Sequence, residues 1–196
     1  ANKQKALKQA DRIRNSLDRA RFINTIERQV GDVSEDAILS TTMHEAAHQI
    51  AFNCGLLQRD AGGPCWLVEG MAIYCESTDQ GDWTALGSPN PLRIAELTRV
   101  KGNYIPLQKL IENDQWRGTP NVLLGYGQSW ALFRLLMEEQ TPQLQAYLRT
   151  LATRKTSEYR VADFRAAFGN DLTKLETRYQ RYMDEVIRRH PAAKVR

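Results

Sequence analysis

Several features that mark whole classes of protein are missing from these 196 residues. No apolar run approaches 18 residues, so no segment is predicted to span a membrane. There is no glycine-rich phosphate loop, no internal repeat, no low-complexity tract and no CxxC pair. Hydrophobic residues make up 42% of the chain and charged residues 26%, which is typical of a globular protein. The sequence therefore predicts a folded domain of neither the P-loop nor the zinc-ribbon class.

Cysteine is scarce, with only Cys54, Cys65 and Cys75. An odd number leaves at least one thiol unpaired or paired between molecules. Cys54 and Cys65 flank a predicted loop, and a disulfide between them would fix that loop in an oxidising compartment. The alternative is that all three are small buried hydrophobic side chains. Both interpretations stay open at this point.

The net charge of +4 is unevenly distributed along the chain. Residues 1–35 carry eight Lys and Arg against five acids, residues 36–142 carry seven against twelve, and residues 143–196 carry twelve against six. A basic tail is one signature of nucleic-acid binding. Acidic residues are interspersed here, which favours a solvated helical face, and no nucleic-acid partner is expected.

One motif with a specific chemistry lies at His44-Glu45-Ala46-Ala47-His48, which reads HExxH. Residues four apart lie above one another on a helix, so both imidazoles can reach one point. Twenty residues separate His48 from Glu69, whose carboxylate is the natural third ligand. A catalytic zinc takes three protein ligands and keeps one position for water. Glu45 would lie beside the metal, where it can act as general base.

Two weaker interpretations of the motif remain. The histidines could belong to a buried helix in which they only form hydrogen bonds. Alternatively, the site could fold without binding metal or cleaving anything.

The segments HEAAHQ and WLVEGMAIY together resemble the zinc peptidases of the gluzincin group, which use two His and a distant Glu. The second segment is especially similar to the WLxEGxA segment of M1-type aminopeptidases. The closest overall similarity is to the bacterial DUF1570 proteins, a peptidase-like family, over about residues 38–139 and more loosely to 186. The exopeptidase signature GxMEN is missing, so aminopeptidase specificity is not predicted.

The resemblance also implies roles for residues around the metal. Tyr126 lies 57 residues after Glu69 and precedes an apolar helical run, as does the oxyanion-stabilising Tyr of M1-type enzymes. A core Tyr with a satisfied hydroxyl is the alternative. Some gluzincins orient the first His with an Asp four residues after the ligand Glu, but that position is Ile73 here. Tyr74 and Glu76 are candidates for a supporting role around the metal.

Hydrophobic periodicity predicts a mainly α protein, a zincin-like helical domain with little or no β-sheet. Gly70 costs about 1 kcal/mol in a helix relative to Ala, and we expect it to let the HExxH helix approach closely. The expected domains are an N-terminal helix in residues 1–34, a catalytic core in 35–140, and a C-terminal helical subdomain in 141–196. The predicted helices are residues 2–30, 35–53, 66–77, 92–100, 106–112, 121–140, 141–153, 161–168 and 171–189.

The resulting functional hypothesis is hydrolysis of peptide bonds by a zinc-activated water, with a peptide or protein substrate. The alternative is a catalytically inactive peptidase-like module that binds a polypeptide or another polymer. The resemblance and the Cys54–Cys65 pairing favour a secreted, periplasmic or cell-envelope location over the cytoplasm. The substrate, the cleavage position and the oligomeric state do not follow from the sequence.

Overall fold

The structure is a computed structural model that describes residues 37–59, 63–76 and 86–191. The chain divides into two compact units, residues 1–42 and 43–196. The candidate metal ligands all belong to the second unit. The predicted helix 2–30 lies outside the described residues.

The described residues form helices joined by turns and short loops, with no strand among them, so the mainly α prediction is confirmed. Where both ends of a helix are described, its bounds lie within two residues of those predicted. A 3₁₀-helix at Gln115–Gly118 occurs where only a loop was expected. The helices are α1 at residues 37–53, α2 at Cys65–Glu76, α3 at Pro91–Arg99, α4 at Leu107–Glu112, α5 at Val122–Glu139, α6 at Thr141–Ala152, α7 at Arg160–Phe168 and α8 at Leu172–Arg189.

Helices α2 and α5 form the centre of the second unit because both are apolar on most of their surface. Trp66 and Trp130, one on each helix, are completely buried. Trp66 stacks on Tyr147 of α6 and meets Phe164 of α7 edge to face, with ring centroids 6.1 and 5.7 Å apart. The C-terminal helices therefore share one core with the helix that carries Glu69.

The contact between α2 and α5 depends on Gly70. A Cβ atom at this position would lie 2.5 Å from the backbone oxygen of Ser129 and 3.1 Å from Cβ of Phe133. Gly70 thus permits close packing of α5, and the expectation that it serves the HExxH helix was wrong. Successive residues lie about 100° apart around a helix. Gly70 therefore faces a different neighbour from the one that Glu69 faces.

The N-terminus of α2 is capped by a residue distant in sequence. Asp114 accepts a hydrogen bond from the backbone nitrogen of Cys65 at 3.0 Å. Its other oxygen lies 2.9 Å from the guanidinium of Arg160, which also donates to the carbonyl of Gly63. A carboxylate at a helix N-terminus satisfies a free N–H and interacts favourably with the helix dipole. These contacts fix the start of the helix that carries Glu69.

A fully buried amide holds the segment that precedes α4. Gln128 accepts a hydrogen bond from the nitrogen of Ile105 at 2.7 Å and donates one to its carbonyl at 2.9 Å. Glu176 of α8 accepts from the nitrogen of Leu107, the first residue of α4. Buried polar groups are stable when paired in this way.

Within the described part of the chain, no helix is both long and apolar enough to cross a membrane.

We expect Gly70→Ala to destabilise the fold by about 2 kcal/mol, because the added methyl group meets backbone that cannot move away easily. Urea unfolding followed by circular dichroism measures the change. Gly118→Ala is the matched control, since a Cβ there has no neighbour within 4 Å and should shift stability by less than about 0.5 kcal/mol. Equal stability of the two variants would contradict the close packing of α2 on α5.

Candidate metal centre

His44 and His48 lie one turn apart on α1 and direct their rings to a common point. The ring centroids are 4.7 Å apart with the planes at 83° to each other. Their Nε2 atoms are separated by 3.0 Å. This proximity follows from the helical spacing of four residues, which places the two side chains on one face.

Helix α2 brings Glu69 to the same point. Its Oε2 atom lies 3.4 Å from Nε2 of His44 and 3.9 Å from Nε2 of His48. In the triangle formed by these three atoms, the equidistant point lies about 2.0 Å from each corner. That value falls in the range of roughly 2.0–2.2 Å found for bonds from zinc to imidazole nitrogen and carboxylate oxygen. The three residues form a group that could hold a metal ion.

The electrostatics of the three residues favour positive charge between them. Hydrogen bonds to Glu69 and then Glu76 raise the pKa of His44 to about 9 despite partial burial. The pKa of His48 is lowered by burial and by the charge of His44. Burial acts to raise the pKa of Glu69, but its hydrogen bond to His44 and the charge of His48 prevail, so that pKa is lowered. The carboxylates of Glu69 and Glu76 therefore make this point favourable for a cation.

Glu76 supports His44 from the side opposite the ligand point. Its Oε1 atom accepts a hydrogen bond from Nδ1 of His44 at 2.8 Å. Seven residues make nearly two full turns at about 3.6 residues per turn, so Glu76 returns to the helix face of Glu69. Glu76 thus supplies the carboxylate that position 73 lacks. Ile73 itself is completely buried in the core. A carboxylate on the distal nitrogen fixes the ring orientation of a ligating His.

Tyr74, the other predicted neighbour of the metal, points elsewhere. Its ring meets Phe133 of α5 with centroids 5.4 Å apart. It also packs so tightly on Gly87 that a Cβ there would lie 2.2 Å from its Cζ atom. Five residues after Glu69 is about 140° around the helix, on the face toward α5. Of the two predicted neighbours, only Glu76 is brought to the ligands by the described contacts.

His48 is held by packing rather than by a carboxylate. Phe52, one turn further along α1, stacks on its ring at 6.2 Å. The guanidinium of Arg59 lies 4.9 Å from the Phe52 centroid and donates to Gln49 and Asn53. Nδ1 of His48 is buried and makes no hydrogen bond within the described residues. The two imidazoles therefore have different surroundings.

Glu45 and Tyr126 are not bonded to the three ligands in the described residues. Glu45 is exposed on α1, next to His44. The Tyr126 ring meets Trp116 edge to face at 5.6 Å. The guanidinium of Arg117 is exposed, and interactions with Cys65, Tyr126 and Glu69 raise its pKa. The catalytic roles of Glu45 and Tyr126 stay predictions.

The three cysteines do not contribute a thiolate to the cluster. All three are free, which leaves the proposed Cys54–Cys65 pair unformed. Cys65 lies one turn before Glu69, and burial, followed by the charge of Glu69, raises the pKa of its thiol to about 12. The raised pKa keeps this thiol protonated at neutral pH.

Sequence reasoning missed two residues near the centre. Asn90 donates a hydrogen bond to Oε2 of Glu76 at 2.9 Å, and Arg93 lies 3.7 Å from its Oε1. The pair Asn90-Pro91 is a recognisable helix-start signal, a capping side chain followed by proline at the first helical position. The sequence thus contained the start of α3 but gave no indication of what that start contacts.

Comparison with known proteins adds one finding to this geometry. No curated protein and no solved structure matches the chain. A family model described as a protein of unknown function, DUF1570, matches residues 38–158. That match covers more than half of the sequence and includes His44, His48, Glu69, Glu76 and Tyr126. The chain therefore belongs to the DUF1570 family.

Proposed function

We propose that this protein is a zinc-dependent peptidase of the gluzincin type, which hydrolyses peptide bonds in a peptide or protein substrate. The observation that supports it most is the convergence of three potential ligands from two helices. His44, His48 and Glu69 place one ligand atom each around a point that lies about 2.0 Å from all three. A cation at this point would balance the carboxylate of Glu69 and accept a lone pair from each imidazole.

The donor set also fits zinc better than it fits Mg²⁺ or Ca²⁺. Two imidazole nitrogens with one carboxylate oxygen are a known catalytic zinc set, whereas Mg²⁺ and Ca²⁺ prefer oxygen ligands only. When bound, zinc supplies a Lewis acid for the scissile carbonyl and lowers the pKa of a water to roughly 7. Glu76 keeps Nε2 of His44 available for the metal by occupying Nδ1.

Glu45 is proposed as the general base. It precedes Ala46 on the exposed side of α1, beside His44, and no described group competes for its carboxylate through a hydrogen bond. The carboxylate accepts a proton from the attacking water and later delivers it to the leaving amine. An exposed position suits this role, because substrate and water must both reach the carboxylate.

Tyr126 is proposed to stabilise the oxyanion that forms on the scissile carbonyl. Support comes from its partly exposed position and from Arg117, which interacts with both Tyr126 and Glu69. A phenol that donates to developing negative charge lowers the barrier only if it lies near the reacting carbonyl. The alternative role, a packing residue beside Trp116, is equally consistent with the ring contact.

A catalytically inactive module that binds a polypeptide or another polymer is the alternative function. It would share the fold and the family but would not turn over peptides. Metal content and hydrolysis, measured on the same preparation, distinguish the two functions.

We expect the protein to bind one zinc ion per chain, because the chain offers a single set of these three ligands in the described residues. Elemental analysis after dialysis against micromolar zinc measures the content. His48→Ala should lose the metal, and His190→Ala, a change at the exposed C-terminal end of α8, should retain it. Zinc should also raise the melting temperature by mass action, and a chelator should reverse the shift. A well-folded wild-type protein that takes up no zinc would refute the proposed function.

We expect Glu45→Gln to retain zinc but to lower kcat for peptide hydrolysis by about 10²–10⁴-fold, the usual contribution of a general base. A library of fluorogenic peptides provides the assay. Glu158→Gln, which changes an exposed carboxylate remote in sequence from the cluster, is the control and should leave kcat unchanged. Zinc binding without hydrolysis in the wild type would favour the inactive module.

Removing the Tyr126 hydroxyl should slow turnover with little effect on substrate binding. We expect Tyr126→Phe to lower kcat by about 10²-fold, as when an oxyanion donor is removed. Tyr159→Phe removes the hydroxyl of an exposed ring that lies against Arg154, and its kcat should equal that of the wild type. An unchanged kcat for Tyr126→Phe would assign that residue to packing.

A further inference from the structure

The carboxylate of Glu76 is largely shielded from solvent, and hydrogen bonds engage both of its oxygens. Its side chain is 9% exposed. Oε1 accepts from Nδ1 of His44, and Oε2 accepts from Nδ2 of Asn90. A buried carboxylate keeps a fixed orientation only when hydrogen bonds and a compensating cation replace its lost hydration. What holds Glu76 therefore also determines the direction of the His44 ring.

Asn90 uses the oxygen and the nitrogen of its side-chain amide for different partners. Its Oδ1 atom caps α3 by accepting from the nitrogens of Leu92 at 3.1 Å and Arg93 at 3.2 Å. Its Nδ2 atom then donates to Glu76 at 2.9 Å. Because the helix cap requires the oxygen, the amino group is left to face Glu76. Asn90 is only 5% exposed, so water does not compete for this hydrogen bond.

Arg93 supplies the compensating charge from the first turn of α3. Its Nη1 donates to both oxygens of Glu96 at 2.9 and 3.1 Å, which fixes the guanidinium plane. Its Nη2 lies 3.7 Å from Oε1 of Glu76. The same guanidinium lies 5.7 Å from the centroid of the Tyr126 ring. Arg93 thus lies beside both Glu76, which orients His44, and the ring of Tyr126, the proposed oxyanion donor.

We infer that Asn90 and Arg93 are positioning residues of the metal centre, which orient His44 through Glu76 without contacting the ion. The inference rests on the proposed metal site. If Glu76 loses Asn90 or Arg93, its carboxylate is free to rotate, and the hydrogen bond to Nδ1 no longer fixes the ring. Nε2 of His44 then spends less time directed at the ligand point, and zinc binds more weakly.

The first test separates this role from helix capping. Asn90→Ser keeps an oxygen suited to the cap, but its side chain is too short to reach Glu76. We expect the Kd for Zn²⁺ to rise about tenfold, as is typical when an outer hydrogen-bond partner of a metal ligand is lost. Competition with a chromophoric chelator measures the Kd on protein shown to be folded by circular dichroism. Asp171→Ser, the corresponding cap exchange at the N-terminus of α8, is the control and should leave the Kd unchanged.

A double-mutant cycle identifies the route of the effect. In a Glu76→Ala background, Asn90→Ser should cause no further loss of zinc affinity, because the residue through which it acts has been removed. A general weakening of the fold would instead lower affinity by a similar factor in both backgrounds. The readout is metal affinity, so it does not depend on the protein having peptidase activity.

Arg93 is tested without leaving an unpaired buried carboxylate. The double variant Arg93→Met/Glu96→Gln removes the cation and neutralises its buried partner together. We expect zinc affinity to fall about tenfold relative to Glu96→Gln alone. Arg93→Lys should retain part of the affinity, since it keeps the charge but cannot bridge two carboxylates with one planar group.

The outcomes separate this inference from the proposed function. Zinc uptake by the wild type with an unchanged Kd in Asn90→Ser and in the Arg93 double variant would overturn the positioning role alone. Additive losses in the Glu76→Ala background would also overturn it. Failure of the wild type to bind Zn²⁺ would refute the metal site and this inference together.

Discussion

The close contact between α2 and α5 is the constraint on which the rest of the centre depends. With Gly70 against the backbone of Ser129, rotation of α2 about its own axis is fixed. Glu69 and Glu76 then project together toward His44. Because position 70 is glycine and allows this packing, it helps determine where the carboxylates of Glu69 and Glu76 lie.

The centre gathers charge in a partly buried place and balances it locally. The carboxylates of Glu69 and Glu76 face His44 from opposite sides, and Arg93 lies beyond Glu76. His48 has no such carboxylate on its outer nitrogen among the described residues and relies on Phe52 for its orientation. The two imidazoles are thus unequal, with one oriented by hydrogen bonds and the other by packing. An unequal pair is expected when the two histidines lie at different distances from the second helix.

Much of this arrangement follows from local sequence rules. Hydrophobic periodicity predicted the α-helices whose two ends are described to within two residues, and the HExxH spacing placed two imidazoles together. Glu69 was predicted because a catalytic zinc takes three protein ligands, and the family resemblance supported that choice. The partner of Gly70 was assigned to the wrong helix, because periodicity indicates which face of a helix is buried but not which neighbour covers it. Asn90 and Arg93 were missed for the same reason, since their contacts with Glu76 span 14 and 17 positions of chain.

The cap on α2 has a consequence for the order in which the molecule assembles. The nitrogen of Cys65 is satisfied by Asp114, and the charge of Asp114 is balanced by Arg160. Contacts between residues this distant in sequence form late and slow the folding of a domain, because a long loop must close first. During synthesis, the ligand helix therefore lacks its final anchor until α7 has left the ribosome. The helix that carries Glu69 is thus anchored by residues that follow it far along the chain.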